Sequence, residues 1–187
     1  MKSLFHLASE VQALFLKKDW RFCFIGALAV QRWGEPRLTT DIDITLFTGF
    51  GKEEPFVDEV LKCYSGRIPD AKNFALTKRV LLLESGNGIG IDISLGALDF
   101  EKEAMNRATY YEFLSDVKLL TCSAEDLIIL KAFADRSKDW LDIEGIITRQ
   151  LNKLDWSYIK KHLTPLCELK GEPEIVDKLK SLREKLS

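Results

Sequence analysis

The chain has 187 residues, 46% of them hydrophobic and 30% charged, with a formal net charge of −2. This suits one soluble domain of ordinary size, or a core with a small helical appendage, and excludes the strongly basic field that grips long nucleic acids non-specifically. Glu10 and Gln12 interrupt the apolar character of "MKSLFHLASEVQALFLKKDW" and no later run of about 18 apolar residues exists, so neither a leader nor a membrane span is expected and the chain reads as cytoplasmic.

Leu4, Leu7, Ala8, Val11, Leu14 and Phe15 recur at helical spacing, which predicts an amphipathic helix from Ser3 to about Lys17. "RFCFIG" follows as a short apolar strand stopped by Gly26, and "ALAVQRWG" as a helix closed by Gly34. Pro36 forces an extended loop. "DIDITLF" is then a strand with Asp41, Asp43 and Thr45 on one face and Ile42, Ile44 and Leu46 on the other. The stretch from Glu53 to Tyr64 fits a helix, and "RVLLLES" and "GIDISL" form two strands joined by the turn-rich "SGNG", a hairpin. A helix from about Ala97 to Arg107 and two brief strands, "YYEFL" and "VKLLT", complete a first region.

From Ser123 the chain is helical throughout. "SAEDLIILKAFAD" opens with Ser123 as N-cap and Asp126 three residues on, and further helices are expected near 138–151, 155–166 and 173–185. The predicted organisation is a core over residues 1–122 and a C-terminal helical segment over 123–187 packed on it. Residues 152–187 hold 8 Lys or Arg against 6 Asp or Glu, an excess too small to mark an RNA-binding tail. Cys23, Cys63, Cys122 and Cys167 are scattered without a CxxC pair and read as buried or half-buried free thiols.

The chemistry concentrates in "TTDIDITL". Residues i and i+2 of a strand share a face, so Asp41 and Asp43 converge while Ile42 anchors the strand behind them. Two ionised carboxylates so placed repel unless solvated, protonated or bridged by a cation, and hard oxygen ligands suit Mg²⁺. An isolated DxD also fits the wet face of an edge strand. Two features shift the balance. Upstream, "FIGALAV" runs a strand into a glycine and a helix start, where backbone N–H groups can receive a phosphate. Downstream, "GIGIDISLG" sets Asp92 between isoleucines of another strand, where an unpaired charge is costly.

The stretch "IGALAVQRWGEPRLTTDIDITL" resembles the signature of the minimal nucleotidyltransferases of the DNA polymerase β-like superfamily, in particular their abortive-infection toxin branch. "SAEDLIILKAFADRSKDWLDIEGII" is similar to a later segment of the same branch. The resemblance covers about residues 20 to 150. It implies an α+β fold, a nucleotidyltransferase-like mixed sheet flanked by helices. It further implies that Asp41, Asp43 and Asp92 are catalytic carboxylates holding Mg²⁺ (or Mn²⁺), with Asp92 the general base, and an NTP as substrate. Gly26 and Ala27 would lie at the phosphates, Lys131 would reach toward them, Thr40 and Arg37 match polar and basic positions before the acids, and Lys138, Asp139 and Asp142 would orient Lys131 or the helix pair. Ala27 departs from the family's second Gly or Ser and removes any hydroxyl there.

The leading expectation is transfer of an NMP from an NTP to a hydroxyl on an RNA 3′ end such as that of tRNA, a protein or a small molecule. Two alternatives stand beside it. One is a non-catalytic nucleotide-binding protein of toxin–antitoxin type with an antitoxin-like partner; the other is a DxD glycosyltransferase, which would not explain the glycine turn or "RSKDWLD". Trp33 and Trp140 are expected in helix packing rather than in the site.

Overall fold

The computed structural model describes residues 4–186; Ser3, expected to begin the first helix, lies outside them. Two compact units are present. One comprises the chain up to Leu28 with Leu38–Cys122; the other comprises Ala29–Arg37 and the chain from Ser123 onward.

In the first unit, α1 (Leu4–Lys17) buries Leu7, Ala8, Val11 and Phe15 as its spacing requires. Gln12 lies in the same buried stripe, and the reason is specific. Its amide donates to the Lys118 carbonyl (2.8 Å) and its oxygen accepts from the Leu120 N–H (2.9 Å), which docks the helix on a strand. The strands are β1 (Phe22–Phe24), β2 (Asp41–Phe47), β3 (Ser65–Gly66), β4 (Val80–Glu84), β5 (Gly90–Gly96), β6 (Thr109–Leu114) and β7 (Val117–Thr121), in the order β3-β4-β5-β2-β1-β7-β6. The sheet is mixed: β2 runs parallel to β5 and β1 parallel to β7, while the other neighbours are antiparallel. The predicted hairpin is β4–β5.

The helices of this unit are α3 (Glu54–Leu61), α4 (Ala71–Lys78) and α5 (Asp99–Arg107), with α2 (Gly26–Trp33) starting here. Neither β3 nor α4 is expected from the sequence. Both residues of β3 are exposed, and α4 buries only Ala71 and Ala75, so no apolar stripe announces it. The chain nevertheless stops and starts cleanly around α4. Asp70 caps its N-terminus by accepting from Asn73 N–H, and Arg79 closes it in the left-handed region (φ 58°). The Arg79 guanidinium pairs with Glu53 and donates to the carbonyls of Leu95 (2.5 Å) and Gly49 (3.3 Å), tying β5 to the loop after β2.

The second unit joins the end of α2 to α6 (Ala124–Ala134), α7 (Ser137–Gln150), a 3₁₀ turn (Leu151–Lys153), α8 (Trp156–Lys170) and α9 (Glu174–Leu186). Ser123 caps α6 as predicted, accepting from Asp126 N–H. The fully buried Asp126 carboxylate in turn accepts from Ser123 Oγ and Tyr158 OH, both at 2.7 Å, which joins α6 to α8. Residues 29–37 belong here because α7 holds them. Arg149 donates to the Gly34 carbonyl (2.5 Å), Gln150 donates to that of Trp33 (2.8 Å), and a Cβ on Gly34 would lie 2.9 Å from Ile146. α8 runs through Pro165 to Lys170, beyond its expected end, because Ile159, Leu163 and Cys167 continue its buried stripe on both sides of the proline. None of the four cysteines is in a disulfide, but Cys63 is exposed where a covered thiol is expected. Among the described residues no helix is long and apolar enough to cross a membrane.

Ile42 and Ile44 of β2 lie beside Ile91 and Ile93 of β5, and all four are inaccessible to solvent. Replacing Ile42 by Ala is expected to cost about 3 kcal/mol through the cavity it opens. Urea unfolding measures this; a loss under about 1 kcal/mol would show that the strand is anchored elsewhere.

Candidate active site

The parallel register of β2 and β5 sets Asp43 directly beside Asp92 and Asp41 beside Gly90. Paired residues of neighbouring strands share a face, so the three carboxylates stand together on the side opposite the isoleucines. Each is partly exposed.

Two glycines make room for them. Gly26 joins β1 to α2 with φ at +57°, and a Cβ there would lie 2.0 Å from Asp43 Oδ2. The glycine predicted to let a backbone approach a phosphate therefore also clears space for the Asp43 carboxylate. Gly90 does the same for Asp41, whose Oδ1 lies 2.3 Å from where a Cβ would be. Ala27 packs inward at 2% exposure, leaving Gly26 as the open part of this turn. The strand entry is braced locally: Thr39 Oγ1 accepts from Asp41 N–H (3.4 Å), and Thr40 Oγ1 stands 3.5 Å from Asp41 Oδ2.

Sequence reasoning missed Arg67. It follows β3, and its guanidinium enters among the acids, donating to Asp92 Oδ1 at 2.6 Å with Nη1 3.6 Å from Asp41 Oδ1. Its only sequence signal was a basic residue in the turn-like "SGRIPD", one of 27 Lys and Arg in the chain. Burial pushes the Asp92 carboxyl above its usual range; Arg67 opposes this, and the charges of Asp43 and Asp41 reinforce it.

The donor set fits a hard divalent cation: three carboxylates gather on one face, and a cationic group already sits among them. Among the described residues no group of three or more His, Cys, Asp or Glu side chains is placed so as to hold a metal ion. Asp41 and Asp92 are turned to the guanidinium instead.

The remaining predicted residues form a second cluster, in the helical unit. Lys131 is buried, and its ammonium donates to Asp139 Oδ1 (3.0 Å) and Asp142 Oδ2 (2.6 Å). Arg37 donates to both Asp142 oxygens (3.0 and 3.2 Å), and Arg136 donates to both of Asp139 (2.5 and 3.2 Å). Two expectations change. Lys131 and Arg37 are engaged with carboxylates rather than presented to a phosphate, and of the three residues expected to orient Lys131 only Asp139 and Asp142 touch it in the hydrogen bonds above, while Lys138 is exposed. Burial alone would raise Asp139 and Asp142; the hydrogen bonds from Arg136 and Lys131 to the first, and from Arg37 and Lys131 to the second, outweigh it and hold both below the usual range.

Gly26→Ala is expected to lower stability by about 1–2 kcal/mol, since it strains a left-handed residue and pushes into Asp43; calorimetry checks this. Lys131→Met leaves buried carboxylates short of a cation and is expected to cost about 3 kcal/mol. Because the folded-state values of Asp139 and Asp142 are depressed, their contribution is present above the unfolded value of 3.8 and lost as pH falls through the lower folded values. Acid titration of wild type and Lys131→Met should show the variant unfolding at higher pH; equal acid midpoints would contradict the assignment.

Comparison with known proteins bears on the fold and the family. No curated protein matches the sequence significantly. In fold, the chain is similar to an antigenic nucleotidyltransferase-like protein from Paracoccidioides brasiliensis (TM-score 0.52, 16% identity, 95% of this chain and 92% of that one). It is also similar to the lincosamide antibiotic adenylyltransferase LnuA, solved with lincomycin bound (TM-score 0.50, 15% identity, 73% of this chain and 92% of that one). A family model matches residues 2–184, and with it the chain belongs to DUF6036, a family described as nucleotidyltransferase of unknown function.

Proposed function

We propose that this protein transfers a nucleoside monophosphate from an NTP to a hydroxyl acceptor, releasing pyrophosphate, and that the unit carrying β2 and β5 is its catalytic part. The observation that carries the reading is the gathering of Asp41, Asp43 and Asp92 on one face of two parallel strands, next to the glycine turn that starts α2.

Asp41, Asp43 and Asp92 would hold Mg²⁺ or Mn²⁺, which when bound supplies charge neutralisation and orientation of the triphosphate. The chain's own groups do the rest. The open turn at Gly26 leaves the first N–H groups of α2 as donors for phosphate oxygens. Asp92 accepts the proton of the incoming hydroxyl, a role suited to a half-exposed carboxylate facing the reaction side. The hydrophobic backing of Ile42, Ile44, Ile91 and Ile93 fixes the strands, so the carboxylates are aimed by rigid elements rather than by loops. Lys131 and Arg37, engaged with Asp139 and Asp142, serve the helical unit's stability. A net charge of −2 weighs against a long RNA as acceptor and toward a compact one. The strand–glycine–helix entry and the family membership favour nucleotidyl over glycosyl transfer from a nucleotide-sugar.

The test is incubation with Mg²⁺ and each α-labelled NTP, then with tRNA, protein and small polyhydroxylated or amino-sugar acceptors. Label should pass to one acceptor class, and Asp41→Asn or Asp43→Asn should reduce transfer by about 100-fold or more, the scale of losing a group that stabilises transition-state charge, with unfolding temperature largely kept. Transfer that persists in both variants, or a preference for nucleotide-sugars, would sink the proposal.

A further inference from the structure

The acidic face contains a positive group that the expected chemistry does not call for. Arg67 is rooted rigidly: its backbone N–H donates to the Leu82 carbonyl (3.0 Å), and Leu82 is the register neighbour of Asp92 on β4. Close packing leads up to it, since a Cβ on Gly66 would lie 2.6 Å from Ala71 Cβ. From that root the side chain reaches over Gly90, where a Cβ would lie 2.3 Å from Arg67 Nη1 as well as from Asp41 Oδ1. The lack of a side chain at 90 thus admits both the carboxylate and the guanidinium. The two contacts are unequal. The one to Asp92 is a short charge-assisted hydrogen bond at 2.6 Å, whereas that to Asp41, at 3.6 Å, is a Coulomb contact without hydrogen-bond geometry. A side chain 32% exposed has a way out to solvent.

The charges argue that this arrangement exchanges. Three ionised carboxylates sum to −3; the guanidinium offsets one of these charges, whereas a divalent cation in its place offsets two. A cation placed beside Asp41 and Asp92 with the guanidinium still there would face a like charge at contact distance. A guanidinium released from carboxylates has its best alternative partner in a phosphate, which its planar fork matches in the same way. We infer that Arg67 is an internal counter-ion of the acidic site that leaves Asp41 and Asp92 when a divalent cation binds and then takes a phosphate of the nucleotide, so that cation and NTP bind cooperatively. This rests on the nucleotidyl-transfer reading. Its consequence is that the empty site is held closed to free metal, and that the triphosphate, by offering Arg67 a new partner, opens it. By linkage the effect is reciprocal: the cation must raise nucleotide affinity by the factor by which nucleotide raises cation affinity.

The experiment measures Mn²⁺ binding in the absence of nucleotide by electron paramagnetic resonance, and separately the binding of a non-hydrolysable ATP analogue at saturating Mg²⁺ by calorimetry. It compares wild type with Arg67→Met, Arg67→Lys and Asp41→Asn, each checked for cooperative unfolding. Arg67→Met should bind Mn²⁺ alone about tenfold more tightly than wild type and the analogue about tenfold more weakly, within the usual range of coupling between sites. Its unfolding temperature should rise more on adding Mn²⁺ than that of wild type. Arg67→Lys keeps the charge without the fork, so its Mn²⁺ affinity should stay near wild type while the analogue's falls. If Asp41→Asn-sensitive Mn²⁺ binding is present and Arg67→Met leaves it unchanged or weaker, the counter-ion role is overturned while nucleotidyl transfer stands. If neither wild type nor Arg67→Met shows Mn²⁺ binding sensitive to Asp41→Asn, both are overturned.

Discussion

Like-charge repulsion among Asp41, Asp43 and Asp92 is the constraint around which the first unit is arranged. Three carboxylates on neighbouring strands would push β2 and β5 apart if the strands were held only by their backbone ladder. The opposite face supplies the resistance: Ile42, Ile44, Ile91 and Ile93 are fully buried, and their burial makes the register between the strands costly to change. A one-residue slip of either strand would turn its isoleucines away from the core face and its aspartates toward it. The electrostatic tension is therefore held in a rigid frame.

The same constraint explains the glycines and the arginine around it. Carboxylates that cannot spread along the sheet need free volume above it, and Gly26 and Gly90 are where that volume is left. At Gly26 the requirement is double, since the chain turns there through a left-handed conformation and must not touch Asp43. Arg67 relieves part of the repulsion from outside the two strands. It comes from the short segment between β3 and α4, which is held by the backbone hydrogen bond from Arg67 to Leu82 of β4, by Ile68 on the core and by the acids that Arg67 meets.

The helical unit manages buried charge by a different balance. Lys131, Asp139 and Asp142 are removed from water, which is costly for each alone. Arg37 and Arg136 complete the set, so each carboxylate receives two cationic donors. The cluster joins the loop before β2 to α6 and the first half of α7, two neighbouring helices that lie far along the chain from it. Such a network favours one arrangement of the helices over others of similar apolar content, because any shift leaves a buried charge without its partner.

What the sequence determined was whatever is written in local pattern. The alternation in "DIDITLF", the helical spacing of α1, the Ser123 cap and the facing of Asp41 and Asp43 all follow from residue periodicity and near-neighbour chemistry, and the family signature linked them to a nucleotidyltransferase fold that the comparisons show. The tertiary structure decided what depends on partners far along the chain. Asp92 lies beside Asp43 only because β5 docks parallel to β2 after a crossover through α3, β3, α4 and β4. The segment 29–37 joins the helical unit because α7 holds it. Lys131, expected to meet a phosphate, is held by carboxylates eight and eleven residues away, and Arg67, one arginine in an ordinary turn, enters the acidic site. A side chain's charge is legible in sequence, but its partner is fixed only when the fold decides which opposite charge it can reach without leaving another buried and alone.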